Sequence, residues 1–329
     1  MPTSPEAKFR WLCAAAALAV TATITTACSG GSVTPTTALT QSQQPSGAWS
    51  PATSYTFQTI GSNKDPHFNQ LLGINSANVI AGYYGSGSPS SPNKGYTVKP
   101  PYAQADFTSE NYPGSVQTQV TCINNNGDTG GFWVDSKGVN RGFLRWKGAF
   151  TSYTDPNIGK GTVTQILGLN NGGLAVGFYT NGAGVNFGFE LNQATGKFTP
   201  IKPPGARNVT ASAIDSDGDI VGFYVSGSTT IGFLKVGSSY STFEYPKSST
   251  TTPFGINGRR NIVGAYVDGK GNTHGFLLKQ PLTHAMWTSI DDPHGVGTTL
   301  INGINLKGYM VGFYGPPSNT KGMLIIPPP

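Results

Sequence analysis

One short phrase recurs six times in this chain, and its inner spacing never changes. Each copy has an aliphatic residue, then Asn or Asp, then a Gly seven residues after that Asx, usually followed by two aromatics. The copies open at Ile74-Asn75, Ile123-Asn124, Leu169-Asn170, Ile214-Asp215, Ile256-Asn257 and Ile304-Asn305. The matching glycines are Gly82, Gly131, Gly177, Gly222, Gly264 and Gly312. Between copies the distance drifts through 49, 46, 45, 42 and 48 residues. A fixed interior with a variable outer period describes one rigid hairpin copied along the chain, with insertions confined to its loops.

Four strands can be read in each copy. Near Ala211 they span 211–214, 219–225, 231–236 and 240–245, with Asp215-Ser216-Asp217-Gly218 turning between the first two. That turn opens on Asn or Asp in every copy, and its fourth residue is Gly127, Gly173, Gly218 or Gly308 in four of the six. These are type I turn preferences: the Asx side chain bonds its own backbone, and Gly relieves strain at the exit. The second strand, Ile220-Val221-Gly222-Phe223-Tyr224-Val225, is apolar on both faces, so both must be covered. The fourth, Tyr240-Ser241-Thr242-Phe243-Glu244-Tyr245, mixes polar and aromatic residues as a wetter outer strand does. The recurrent Gly of the second strand predicts a ring from a neighbouring sheet lying on bare backbone.

The outer strands do not match the hairpins in number. They recur at 106–112, 149–154, 197–202, 240–245 and 286–291, five for six hairpins, and the last copy stops at its third strand, 323–326. A sixth outer-type strand, 55–60, stands ahead of the first copy. A closed ring resolves the mismatch. The expected fold is all-β: a six-bladed β-propeller of four-stranded antiparallel blades, closed by strand 55–60 completing the last blade. A linear solenoid would need polar caps and would leave that strand unused. Closure also removes exposed sheet edges, and six blades lie within the propeller range.

Copies such as Phe254-Gly255-Ile256-Asn257, Ile262-Val263-Gly264-Ala265-Tyr266, His274-Gly275-Phe276-Leu277 and Trp287 to Gly295 resemble the bacterial HAF-type extracellular repeat, over residues 54–326. The resemblance implies an exported location and attaches no activity. Its His-Gly-Phe histidine stands only at His274; the other copies have Lys94, Arg141, Phe187, Ile231 and Lys321, so the position is no shared active site.

The start of the chain agrees with export. Lys8 and Arg10 precede an apolar run from Trp11 to Val20, about half the length of a membrane-spanning helix. Thr25-Thr26-Ala27-Cys28 then resembles the bacterial lipoprotein box, in which Cys28 is acylated and becomes the first residue; ordinary cleavage after Ala27 is the alternative. The expected organisation is a signal peptide at 1–27, a lipid-anchor Cys28 with a Ser/Thr/Pro/Gln-rich tether to 53, and a six-repeat domain at 54–329. Ser29 to Thr53 carries no charge and nothing able to bury a core. Without the leader, Cys122 is the one cysteine besides Cys28, read as a small buried hydrophobe.

Composition limits the partners. Charged residues make up 11% of the 329, well under the roughly 25% of an ordinary domain. The 19 bases left after the leader are scattered, with no run longer than Arg259-Arg260. A nucleic-acid surface wants a stripe or cluster, so no nucleic-acid partner is expected, and the membrane is reached through the lipid anchor alone.

Few residues suggest chemistry. Asp215, Asp217 and Asp219 could face a calcium ion, but the same turn reads Asn124-Asn125-Asn126-Gly127 and Asn170-Asn171-Gly172-Gly173 elsewhere, so a hairpin turn is the simpler reading. Asp65-Pro66-His67 and Asp292-Pro293-His294 follow outer strands of adjacent blades, and with Asp155 could form a metal cluster, although Asp-Pro is also an ordinary turn starter. The paired aromatics Tyr83-Tyr84, Phe132-Trp133, Phe178-Tyr179, Phe223-Tyr224 and Phe313-Tyr314, with Tyr266, read as core between blades or as a sugar grip. Trp146 and Trp287 read as exposed contacts. No nucleophile motif or phosphate-cradling loop is evident, and no cofactor or metal is expected. The expectation is a non-catalytic binding or scaffold module at the cell envelope, its partner a polysaccharide or envelope protein. The alternative is a carbohydrate-active hydrolase or lyase with its site over the central channel.

Overall fold

Each Asx-initiated turn folds as its local sequence dictates. In all six the Asx Oδ1 accepts two backbone N–H groups, from the residues two and four ahead; Asn75 takes those of Ala77 and Val79, both at 3.0 Å. The fourth residue is left-handed in every copy, including the non-glycines Asn78 and Arg260, at φ 61° and 56°. Short polar Asn tolerates that conformation; Arg260 carries its strain.

The computed structural model of the chain describes residues 55–279, 282 and 285–328. The expected leader, Cys28 and tether lie outside these residues. Strand β1 (Thr56–Thr59) comes first. Blade one holds β2 (Asn69–Ile74), β3 (Ile80–Tyr84), β4 (Lys94–Val98) and β5 (Phe107–Ser109). Blade two holds β6 (Gln117–Ile123), β7 (Thr129–Val134), β8 (Asn140–Trp146) and β9 (Ala149–Tyr153). Blade three holds β10 (Val163–Leu169), β11 (Leu174–Thr180), β12 (Asn186–Asn192) and β13 (Lys197–Ile201). Blade four holds β14 (Arg207–Ile214), β15 (Ile220–Ser226), β16 (Thr229–Val236) and β17 (Ser239–Phe243). Blade five holds β18 (Thr250–Ile256), β19 (Ile262–Val267), β20 (Thr273–Lys279) and β21 (Met286–Ile290). Blade six holds β22 (Thr299–Ile304), β23 (Met310–Tyr314) and β24 (Lys321–Ile326), and its fourth strand is β1, antiparallel to β24 from Thr56↔Ile326 to Thr59↔Met323. The fold is therefore the six-bladed β-propeller, closed by its own first strand.

The first strands form the inner ring, each touching those of both neighbours. Every one carries a bulge at the same place, where pairing skips Leu72, Thr121, Leu167, Ser212, Phe254 or Asn302. The bulge explains the invariant Gly of the second strand. A Cβ there would lie 1.9–2.3 Å from a first-strand carbonyl, such as Gln165 O opposite Gly177. The expectation of a ring from a neighbouring blade is corrected. The rings that approach, Phe143, Phe233 and Phe276, come from the third strand of the same blade, and the cross-strand carbonyl is the closer obstacle.

The hydrophobic core is divided among the seams. One cluster joins blade six to blade one through Ile60, Val311 and Leu324 against Leu71, Ile80 and Tyr96. Another joins blade two to blade three through Cys122 and Leu144 against Ile166 and Phe189. The remaining four seams each hold their own. Burial on both faces of the inner strands follows from this stacking.

Candidate functional site

A ring of side-chain amides surrounds the axis on the face formed by the first turns. With Oδ1 fixed inside its own turn, the Asn Nδ2 is left to point outward. Asn75 donates to Asn124 O at 3.2 Å, Asn124 to Asn170 O at 3.2 Å, Asn257 to Asn305 O at 2.9 Å, and Asn305 to Asn75 O at 3.0 Å. The other two positions are Asn170 and Asp215. Asp215 has no N–H to give, and its Oδ2 is buried without a hydrogen-bond partner. Burial pushes the Asp215 carboxyl above the usual carboxylate range, opposed by the N–H groups of Asp219 and Asp217.

Inside this ring lies a cavity of about 100 Å³, lined by five of the six Asx residues (all but Asn75) and by the aliphatic residue before each of the six. It is smaller than the roughly 300–1,000 Å³ of ordinary small-molecule sites. Asp215 is the one charged side chain among its described lining residues. The Asp215–Asp217–Asp219 turn does not close on a central point: Asp215 Oδ1 caps the turn, and Asp219 Oδ2 accepts from Arg260 Nε at 2.6 Å. Among the described residues no three His, Cys, Asp or Glu side chains gather as a metal cage.

The opposite face carries the turns between second and third strands and the loops that enter each blade. Here the aromatic pairs divide. Tyr83, Phe132, Phe178, Phe223 and Phe313 are buried. Their neighbours Tyr84, Trp133, Tyr179 and Tyr224, with Tyr266, are half-buried at the ends of the second strands; Tyr314 is buried. Cross-strand from each stands a third-strand residue that changes from blade to blade: Lys94, Arg141, Phe187, Ile231, His274 and Lys321. Three of them lie over the ring beside them. Arg141 sits 5.2 Å from the Trp133 centroid, Phe187 stacks on Tyr179 at 5.1 Å, and His274 stacks on Tyr266 at 5.0 Å. Trp133 Nε1 donates to Ser152 Oγ, and the Tyr266 hydroxyl bonds Ser289 Oγ, the matching contact three blades on. Phe187 is 41% exposed, a large ring open to solvent.

His274 is held between two carboxylates, Nδ1 to Asp291 Oδ2 at 2.9 Å and Nε2 to Asp268 Oδ2 at 3.3 Å. Burial works against its charge; the two carboxylates outweigh it and leave its pKa raised. Asp268 is held well below the usual carboxylate range, first by the Asn272 N–H and also by His274.

The remaining sequence candidates separate. Asp65 accepts from the His67 and Phe68 N–H groups and from Ser91 Oγ, while Asp155 and Asp292 each cap their own loops. They start turns; Asp292 Oδ1 also lies 3.3 Å from His294 Nδ1 of its own loop, but among the described residues no three such groups gather. Trp146 and Trp287 are corrected from exposed contacts to half-buried packing residues. Trp146 lies against Gly173 of the next blade, and Trp287 sits among Phe243, Tyr245 and Phe276. Sequence reasoning missed the cross-blade amide ring. Its trace is that Asn fills five of six positions where Asp would cap the turn equally well.

No known protein family matches the sequence, and no curated protein matches it. Solved structures do. TolB from Acinetobacter baumannii aligns with a TM-score of 0.51 at 9% identity, covering 79% of this chain and 64% of that one. AofleA from Arthrobotrys oligospora aligns at 0.50 and 10%, covering 83% and 86%. Trypanosoma rangeli sialidase aligns at 0.50 and 9%, covering 84% and 60%. The chain thus spans under two thirds of TolB and of the sialidase. Identity this low reports the fold alone.

Proposed function

We propose that the propeller is a non-catalytic binding module, exported and anchored through Cys28, whose ligand is an envelope polysaccharide. The binding face is the one carrying the aromatic columns. The observation that carries this reading is Phe187, exposed and stacked on Tyr179 between the columns of Trp133 with Arg141 and Tyr266 with His274. A saccharide offers C–H faces and hydroxyls. Rings receive the former, and guanidinium and carboxylate groups bond the latter. Equivalent columns on several blades suit a repeating polymer, since linked weak contacts add through effective concentration.

The hydrolase or lyase reading finds less support. It asks for two carboxylates at a controlled separation over the channel, and Asp215 stands there alone among the described lining residues.

The test is a binding screen of the purified chain against glycans and cell-wall polysaccharides, with Phe187→Ala beside the wild type. We expect binding that falls at least about tenfold in the variant, the loss of one stacking contact. Absence of binding, or binding indifferent to Phe187, would defeat the proposal. Separately, Cys28→Ser should move the protein from the membrane pellet to the soluble fraction; retention in the pellet would defeat the anchor.

A further inference from the structure

We propose that the axial cavity binds one small monovalent cation, held between the Asp215 carboxylate and the backbone carbonyl of Asn257. The amide ring supplies the geometry. In four blades the Asx Nδ2 sits 2.9–3.2 Å from the carbonyl of the next turn. Asp215 has an oxygen where those residues have a donor, its Oδ2 is buried without a hydrogen-bond partner, and the repeat would direct it toward Asn257 O with no hydrogen to place between them.

Asp215 is 5% exposed and its Oδ2 has no partner, an arrangement that costs several kcal/mol for a charged group unless something completes it. Arg260 acts on it only through space, with no hydrogen bond to it. The guanidinium of Arg260 is turned to Asp219 at 2.6 Å, and no described Lys or Arg lines the cavity. Asn257 O receives the N–H of Arg260 at 2.7 Å and keeps its second lone pair.

A proton is the competing occupant, because burial raises the pKa of this carboxyl; the Asp217 and Asp219 N–H groups on Oδ1, both at 2.9 Å, oppose it and favour the ionised form. A divalent ion fits worse. Calcium takes six to eight oxygens and usually several carboxylates, whereas this wall offers one. A single charge, one carboxylate, carbonyl dipoles and room for a few waters match sodium, potassium or ammonium.

Thermal unfolding of the purified protein at constant ionic strength tests this, comparing NaCl, KCl and NH4Cl with tetramethylammonium chloride, whose ion is too bulky to enter. The wild type should melt about 2–4 °C higher in at least one small-cation salt, saturably. Asp215→Asn, whose amide restores the donor toward Asn257, should melt at the higher temperature in all four salts. A midpoint equal in every salt overturns the proposal, as does salt sensitivity that survives in Asp215→Asn. Stabilisation by lowered pH with no response to cations assigns the gap to a proton and also overturns it. Should the variant not fold, crystals soaked in RbCl give an independent reading: an anomalous peak beside Asp215 on the axis is expected, and its absence counts against the site.

Discussion

The Asn305 side chain donates to the backbone carbonyl of Asn75 at 3.0 Å, joining residues 230 apart in sequence. At the rim the same two ends of the fold meet again, where Thr59 Oγ1 lies 2.9 Å from the Tyr314 hydroxyl. The ring is therefore fastened at two radii, by a side chain near the axis and by a strand at the edge.

Removing residues 55–60 should open the rim. Met323 and Ile325, fully buried beside β1, would face water on a bare edge. The unfolding midpoint should fall and light scattering should rise; a shortened chain that melts and stays soluble like the full one would contradict closure. Asn305→Ala, which removes the axial bond and its own turn's cap, should cost roughly 2 kcal/mol in urea unfolding.

Gly177→Ala should be among the most damaging small substitutions in the fold. Its Cβ would meet Gln165 O at 1.9 Å, a backbone atom pinned by the bulge. We expect a loss above about 3 kcal/mol or no folded protein. Gly196→Ala serves as the contrast: its φ is 67° but nothing lies within 4 Å of the added methyl, so about 1 kcal/mol is expected. Equal urea midpoints for the two variants would show that the close approach is not what selects Gly.

Cys122 should be inert in the native protein. Burial pushes its thiol up to about 12, and it lies in the seam between blades two and three. Thiolate is the reactive form, so a thiol reagent at pH 8 should label it only as fast as the seam opens. Immediate labelling without denaturant would mean that the seam is not closed as described.

His274 should make stability depend on pH. Its folded pKa is raised above 6.5, so the carboxylates stabilise the charged form. That contribution is fully present below about pH 6.5 and is lost as pH rises through the folded pKa. Asp268 has the opposite sign: its folded pKa is depressed, so its contribution is present above 3.8 and is lost as pH falls. In His274→Phe the fall in midpoint between about pH 6.5 and 8 should flatten. A slope that persists in the variant would assign the dependence to other groups.

Much of the architecture was legible because its causes are local. Asn75 caps its turn by bonding residues two and four ahead, and such bonds leave a mark at fixed spacing. The same holds for the outer strands, where exposed Ser241 and Thr242 stand between half-buried Tyr240 and buried Phe243, the mixture of a half-wet strand. Strand 55–60 was recognisable as the missing partner by counting. The columns were not legible as columns. Phe178 and Tyr179 look alike in sequence, yet one is buried and the other half-exposed under Phe187.

The amino-acid order determined the repeat, its turns, the number of blades and the strand that closes them, since each depends on neighbours in the chain or on a count. Tertiary structure decided what meets across a seam: that Asn124 reaches Asn170, that Arg141 covers Trp133 beside Tyr112, and that Asp215 Oδ2 is buried without a hydrogen-bond partner. Those contacts depend on how closely six stacked sheets approach their axis. That distance is set by packing of all the seams together, and no spacing along one copy records it.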